Sequence, residues 1–167
     1  MSDTVSQHKS QGPRSLSCAV VTVSDTRTQK DDRGGPLVRE LLLAHGHEVT
    51  HQEIVPDEPD RMVELIGKLK QEVAVILMTG GTGITSRDQT YETVTELFTK
   101  SLPGYGELFR MLSYEEIGPA AMLSRATGGV VGTTILLTMP GSPAAVRLAM
   151  ERIILPELPH LVQQATK

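Results

Sequence analysis

Apolar positions along the chain keep two spacings. Val73–Thr79 is a short, continuous apolar run rich in β-branched residues, the pattern of a strand buried on both faces of a parallel sheet. Leu16–Val23 precedes it as a first strand, Glu48–Val55 reads as a second, and Thr134–Met139 is a last apolar strand. Between these runs the period lengthens to that of a helix. Pro36 opens a helix with the stripe Leu37, Val38, Leu41 and Leu42, which Gly46 closes. Asp60 is placed to cap a helix through Met62, Leu65, Ile66 and Leu69, and a further helical pattern runs from Thr90 to Thr99. This alternation predicts right-handed crossovers and a parallel sheet between helices.

The second half is less regular. Leu102–Gly106 turns into a helix with Leu108, Met111 and Leu112 on one side, and Ile117-Gly118-Pro119 breaks it. Ala120–Ser124 reads as another short helix, and Arg125–Thr133 as a bent strand and turn. Ser142 as N-cap and Pro143 at the first helical position open a helix over Ala144–Ile154. Pro156 and Pro159 predict that the C-terminal stretch is a broken helix at best. Met111, Met122, Met139 and Met150 are read as core filler. Met1–Pro13 is polar and reads as a flexible tail, leaving 14–167 as a single α/β domain.

Composition removes several classes of function. Aromatics make up 3% of the chain and Trp is absent, which argues against a site that works by stacking on large rings. A net charge of -4 offers no general attraction to a nucleic acid backbone. No apolar run approaches the roughly 20 residues of a membrane span, and the N-terminus has no signal-like apolar region. With one cysteine, Cys18, inside an apolar strand, a disulfide framework is ruled out and a cytoplasmic setting is expected. His45, His47 and His51 straddle a helix end and a strand, and are assigned to the surface or an interface rather than to a metal.

The polar loops carry the chemistry. Ser24-Asp25, Asp57-Glu58, Gly80–Gly83 with Asp88, and Pro140-Gly141-Ser142 each follow a predicted strand. In an open parallel sheet the carboxyl ends of the strands share one edge, where ligands bind. Three glycines within Gly80-Gly81-Thr82-Gly83, ahead of a helix, suit an anion-binding nest. Neither G-x-G-x-x-G after the first strand nor the P-loop lysine is present, and G-x-S-x-G does not occur. A polyphosphate among aspartates needs a mediator: a carboxylate ~5 Å from a phosphate charge costs about 3 kcal/mol at an effective dielectric of ~20. Either a divalent cation, best Mg²⁺, sits between them, or some aspartates bind sugar or heterocycle hydrogen-bond donors.

Thr22-Val-Ser-Asp-Thr-Arg27, Val55-Pro-Asp-Glu58, Thr79-Gly-Gly-Thr-Gly83 with Arg87-Asp88, Pro103-Gly-Tyr-Gly-Glu107, Leu123-Ser-Arg125 and Met139-Pro-Gly-Ser142 form an ordered series. The series resembles the MogA/MoaB family of molybdenum cofactor biosynthesis, over nearly everything after the tail. Glu107–Gly118 and the short C-terminus are similar to the MoaB branch in particular. The resemblance implies a three-layer α/β molybdopterin-binding-like fold. It implies adenylylation of molybdopterin, in which the pterin's terminal phosphate attacks the α-phosphorus of Mg-ATP and pyrophosphate leaves.

By that resemblance Asp57 and Asp88 are the catalytic carboxylates, serving Mg²⁺ through the ATP phosphates and orienting the reactants. Gly80, Gly81, Thr82, Gly83, Pro140, Gly141 and Ser142 contact phosphate; Ser24, Asp25, Glu107 and Ser124 match pocket positions, with Arg125 a phosphate partner. Arg27 and Arg110 remain open between surface ion pair and ligand. The family also implies a homo-oligomer, a hexamer ahead of a trimer, and transient contact with other cofactor-biosynthesis proteins. The alternative is a non-catalytic molybdopterin or nucleotide carrier, or an oligomeric scaffold with a vestigial pocket.

Overall fold

In the computed structural model, which describes Pro13 and residues 15–167, the four apolar runs form the parallel part of a six-stranded sheet. The strands are β1 (Ser17–Val23), β2 (Glu48–Val55), β3 (Val75–Thr79), β4 (Lys100–Ser101), β5 (Gly128–Val131) and β6 (Thr134–Met139). Their spatial order is β2-β1-β3-β6-β5-β4. β2, β1, β3 and β6 run parallel, whereas β5 lies antiparallel to β6 and β4 antiparallel to β5.

The helices are α1 (Gly34–Ala44), α2 (Pro59–Leu69), α3 (Thr90–Leu97), α4 (Pro103–Ile117), α5 (Pro143–Ala149) and α6 (Leu155–Ala165). Side-chain alternation on the strands divides them into layers. Cys18 and Val20 of β1, and Val75 and Leu77 of β3, pack with α1, α4, α5 and α6. The intervening Ala19, Val21, Ile76 and Met78 pack with α2 and α3. The result is a three-layer α/β sandwich. Among the described residues, no helix is long and apolar enough to cross a membrane.

Several elements depart from their sequence-based bounds. α1 starts at Gly34 rather than Pro36, because buried Asp32 accepts from the Gly34 and Gly35 amides at 3.0 and 3.3 Å. Asp60 does not cap α2; Glu58 holds the cap position and Pro59 starts the helix. β3 begins at Val75, since the Val73 amide still bonds the Leu69 carbonyl of α2. α3 ends at Leu97, and Lys100–Ser101 forms an edge strand too short and polar to announce itself. Of the short helix expected over Ala120–Ser124, Ala120–Leu123 lies in a 3₁₀ segment over Gly118–Leu123, and Ser124 follows it in extended conformation.

The C-terminus also differs. A π-helical segment, Met150–Ile154, joins α5 to α6, and α6 runs through Pro159 to Ala165. Pro156 sits in its first turn, where a missing amide costs little, and the wider π turn directly upstream re-registers the bonding. Cys18 is buried, and burial pushes its thiol up to about 12. His47 is buried rather than at the surface, with its Nδ1 unpartnered among the described residues. Met139 and Met150 are core, but Met111 and Met122 are 54% and 75% exposed. α4 turns Tyr105, Phe109 and Ser113 inward; of the expected Leu108, Met111 and Leu112 face, Leu112 packs partly buried against the core while Leu108 and Met111 are exposed. The expected tail lies outside the described residues except for Pro13.

Candidate active site at the carboxyl edge of the sheet

The loops after β1, β2, β3 and β6 converge as the parallel topology requires. They enclose a cleft of 340 Å³ lined by Ser24, Asp25, Asp57, Gly80, Gly81, Asp88, Gly141 and Ser142 among others. The glycines are there for steric reasons. Gly80 and Gly81 have φ of 95° and 62°, values side-chain-bearing residues avoid. A Cβ on Gly80 would strike the Val23 carbonyl, and one on Gly81 would strike Thr90 Oγ1 and Asp57 Oδ2. The Gly80 amide is engaged by the Met139 carbonyl at 3.0 Å. Gly81 keeps an amide with no partner among the described residues, a backbone donor that lines the cleft and is available to an anion.

Charge is distributed unevenly around the cleft. Arg87 grips Asp25 with two hydrogen bonds of 2.8 Å, and Asp25 Oδ1 also accepts from the Asp57 amide at 3.0 Å. The Arg87 hydrogen bond and then the Asp57 amide hold the Asp25 carboxyl below the usual range. Asp57 behaves oppositely. It is buried, and burial pushes its carboxyl up; Asp88 and Asp25 add repulsion, against the Gln89 amide donating to Oδ1 at 3.0 Å. Asp88 turns one oxygen, Oδ2, back into its own loop, accepting from the Thr85 amide at 2.8 Å and the Thr85 hydroxyl at 2.6 Å. Burial raises its carboxyl, but these bonds outweigh it and leave the group below the usual range.

Ser24 and Ser142 shape their loops as well as lining the cleft. Ser24 Oγ accepts from the Arg27 amide at 3.1 Å, and Ser142 Oγ caps α5 through the Ala145 amide at 3.3 Å. Thr82, Gly83 and Pro140 do not line this cleft, and Thr82 is buried behind it. Glu107, Ser124 and Arg125 lie apart, in a second cleft of 510 Å³ with Tyr91 and Arg110. Arg125 is held by protein: Nε donates to the Gly83 carbonyl at 2.7 Å, Nη2 to the Asp88 carbonyl at 2.9 Å, and Nη1 pairs with Glu92.

Arg27, which the sequence left open between ion pair and ligand, and Arg87, which was not assigned to substrate, both line the first cleft. Arg27 Nη1 donates to the Gly141 carbonyl at 3.2 Å and lies 3.6 Å from Asp32. Asp32 also accepts from the Thr22 hydroxyl at 2.6 Å, tying β1 to the start of α1. Both arginines stand beside the acidic residues of the recognised motifs, which was the available signal. Asp32 had none beyond its place in a polar loop. Among the described residues no group of three or more His, Cys, Asp or Glu side chains is gathered as a metal site.

A glycine loop, arginines and carboxylates thus gather at the carboxyl edge of the sheet, where open α/β sheets bind ligands. Residues 19–160 match the family described as "Probable molybdopterin binding domain". Molybdenum cofactor biosynthesis protein B of Bacillus cereus is 52% identical over 161 residues, 95% of each chain. A crystal structure of a molybdenum cofactor biosynthesis protein B superposes with a TM-score of 0.88 at 50% identity, covering 93% of this chain and 99% of that one. The tungsten cofactor synthesizing protein MoaB from Pyrococcus furiosus gives 0.84 at 38% identity, with the same coverage. The chain belongs to the MogA/MoaB family of molybdenum cofactor biosynthesis proteins, on its MoaB branch.

Proposed function

We propose that the protein adenylylates molybdopterin with Mg-ATP, giving adenylyl-molybdopterin and pyrophosphate. The observation that carries this is the pairing of two clefts across one loop. The first has the Gly81 amide, Arg27 and Arg87 for phosphates, and the second is larger and borders Tyr91, Ser124 and Glu107. An oxygen of the terminal phosphate of molybdopterin forms a bond to the α-phosphorus of ATP. The bond from that phosphorus to the bridging oxygen breaks, and pyrophosphate departs with the electron pair. Such a reaction needs positioning and charge stabilisation rather than a nucleophilic side chain.

Mg²⁺ fits the donor set. Asp57 Oδ2 accepts no hydrogen bond among the described residues, and its carboxylate is crowded by like charges that a cation would neutralise. With Asp88 it would hold Mg²⁺ against the ATP phosphates, since the described residues alone gather too few ligands for a complete site. Bound there, Mg²⁺ would neutralise phosphate charge. The protein's own part is to bind phosphate through Arg27, Arg87 and the Gly81 amide, and to orient the reactants from Asp57 and Asp88. In the second cleft Arg110 donates to the Ala126 carbonyl at 3.2 Å and holds that wall in place.

The family resemblance implies a homo-oligomer, a hexamer ahead of a trimer, and the exposed side of α4 and the 3₁₀ segment supports an interface between copies. Leu108, Met111, Tyr114, Ile117 and Met122 are all exposed there, an apolar stripe of the kind that marks an interface. The test of function is direct: incubate the chain with Mg-ATP and molybdopterin and follow adenylyl-molybdopterin by mass. Product from the native chain, lost in Asp57→Asn and Asp88→Asn, supports the assignment. Saturable binding without product supports the second reading, a carrier or scaffold, which the engagement of Asp88 by Thr85 favours.

A further inference from the structure

The loop between Gly83 and Asp88 carries Arg87 and Asp88 to the first cleft, and both its ends are held by one side chain. Arg125 Nε takes the carbonyl at the entry, Gly83, at 2.7 Å. Its Nη2 takes the carbonyl at the exit, Asp88, at 2.9 Å. The remaining nitrogen, Nη1, pairs with the Glu92 carboxylate of α3, and the guanidinium carbon lies 5.4 Å from the centre of the Tyr91 ring. The Arg125 amide adds a bond of 3.0 Å to the Thr82 carbonyl. Three directions of a planar fork are therefore satisfied by three separate acceptors, a geometry that an ammonium cannot reproduce. The Arg125 side chain is 25% exposed.

We infer that Arg125 is a positioning residue rather than a phosphate ligand: oriented by Glu92, it clamps both ends of the 83–88 loop and so sets where Arg87 and Asp88 stand in the neighbouring cleft. The inference deepens the adenylyl-transfer assignment and rests on it only for its effect on turnover. Inside the loop, Asp88 Oδ2 closes a turn onto Thr85, but that turn has no bond of its own to the second cleft. Arg125 supplies this bond. It belongs to the wall between the clefts, touching the loop of one while lining the other.

Glu92 separates the clamp from direct phosphate binding by the sign of its effect. Glu92 is half-exposed and lines neither cleft. If Arg125 bound phosphate, Glu92→Gln would remove a competing acceptor and tighten the anion. As a clamp, the same substitution loosens the loop and lowers kcat with little change in KM.

The experiment is hydrogen–deuterium exchange on the full chain, read on peptides spanning residues 83–92, without substrate. Arg125→Gln and Arg125→Lys should each raise exchange there by about tenfold, the order expected when a charge-assisted hydrogen bond is lost. Glu92→Gln should raise it in the same segment by a smaller factor, with peptides from β1 and β6 unchanged. Unchanged exchange at 83–92 in Arg125→Lys and Glu92→Gln overturns the clamp. So does a gain in Mg-ATP or molybdopterin affinity in Glu92→Gln. Absence of pyrophosphate release from the native chain would end the adenylyl-transfer assignment, while the exchange result still decides the clamp.

Discussion

Asp57→Asn should make the protein more stable and inactive at once. In the unliganded chain Asp57 is a buried carboxylate whose ionised form is disfavoured first by burial, then by Asp88 and Asp25. Its one protein hydrogen bond, from the Gln89 amide at 3.0 Å to Oδ1, survives in asparagine, whose carbonyl can take the same place. The new amide nitrogen then replaces Oδ2, which lies beside Gly81 at the cleft wall. Each unit by which a native pKa stands above its unfolded value costs about 1.4 kcal/mol once the group is ionised. Removing the charge should therefore raise the Tm near neutral pH, where the native carboxylate is ionised against burial and like charge. The gain should shrink in acid, where Asp57 is protonated in both states. Thermal unfolding monitored by circular dichroism, with and without Mg-ATP, measures both sides. The native chain should be stabilised by Mg-ATP and Asp57→Asn should not. A variant several degrees less stable would show that Asp57 is chiefly a structural acceptor and that its charge is not held in strain for a cation.

Four other substitutions test separate parts of the structure. Gly81→Ala forces a left-handed backbone costing about 1–2 kcal/mol and drives a methyl into Thr90 and Asp57; it should abolish Mg-ATP binding in calorimetry while the circular dichroism spectrum persists. Asp32→Ala leaves the Thr22 hydroxyl and the Gly34 and Gly35 amides unmatched in the interior; at about 1–3 kcal/mol each, the unfolding midpoint should drop by at least ~6 °C. Burial, then repulsion from His45, holds the His47 imidazole below its ordinary value. The unfolded chain takes up a proton near pH ~6.5 that the native chain refuses, so stability is complete above that pH and declines below it. His47→Gln should flatten the decline in Tm between pH 7 and 5, and an unaltered profile would remove His47 from the account. Met111→Glu on the exposed stripe should lower the mass seen by light scattering without unfolding the chain; an unchanged oligomer would place the interface elsewhere.

Three of the four parallel strands were legible because strands buried on both faces leave few polar positions to blur the pattern: β1, β3 and β6 are almost wholly buried. β4 was not legible. Two exposed residues carry no period, and their pairing depends on Gly129, where a side chain would collide with the Phe98 ring. The inward face of α4 was missed because Leu108 and Met111 form as good a stripe as Tyr105 and Phe109, and burial alone decides between two apolar faces. At the site, the convergence of four loops followed from strand order. The direction of each polar atom did not. Whether Asp88 points at a ligand or at Thr85, and whether Arg125 meets phosphate or carbonyls, depends on hydrogen bonds between residues that sequence spacing does not relate.

Those directions divide the three aspartates into different tasks. Asp25 is neutralised by Arg87, and Asp88 is satisfied in part by Thr85, so each can remain ionised at little cost. Asp57 alone is left with burial and like charge against it. A cation entering with a polyphosphate would thus gain most from Asp57, while Arg87 could exchange one oxyanion partner, Asp25, for another on the ligand. The two changes are coupled, because Asp25 also accepts the Asp57 amide. Binding would then rearrange a charge pattern that the glycine loop, Arg27 and Arg125 hold in place, and the specificity of the cleft would lie in that pattern rather than in any one contact.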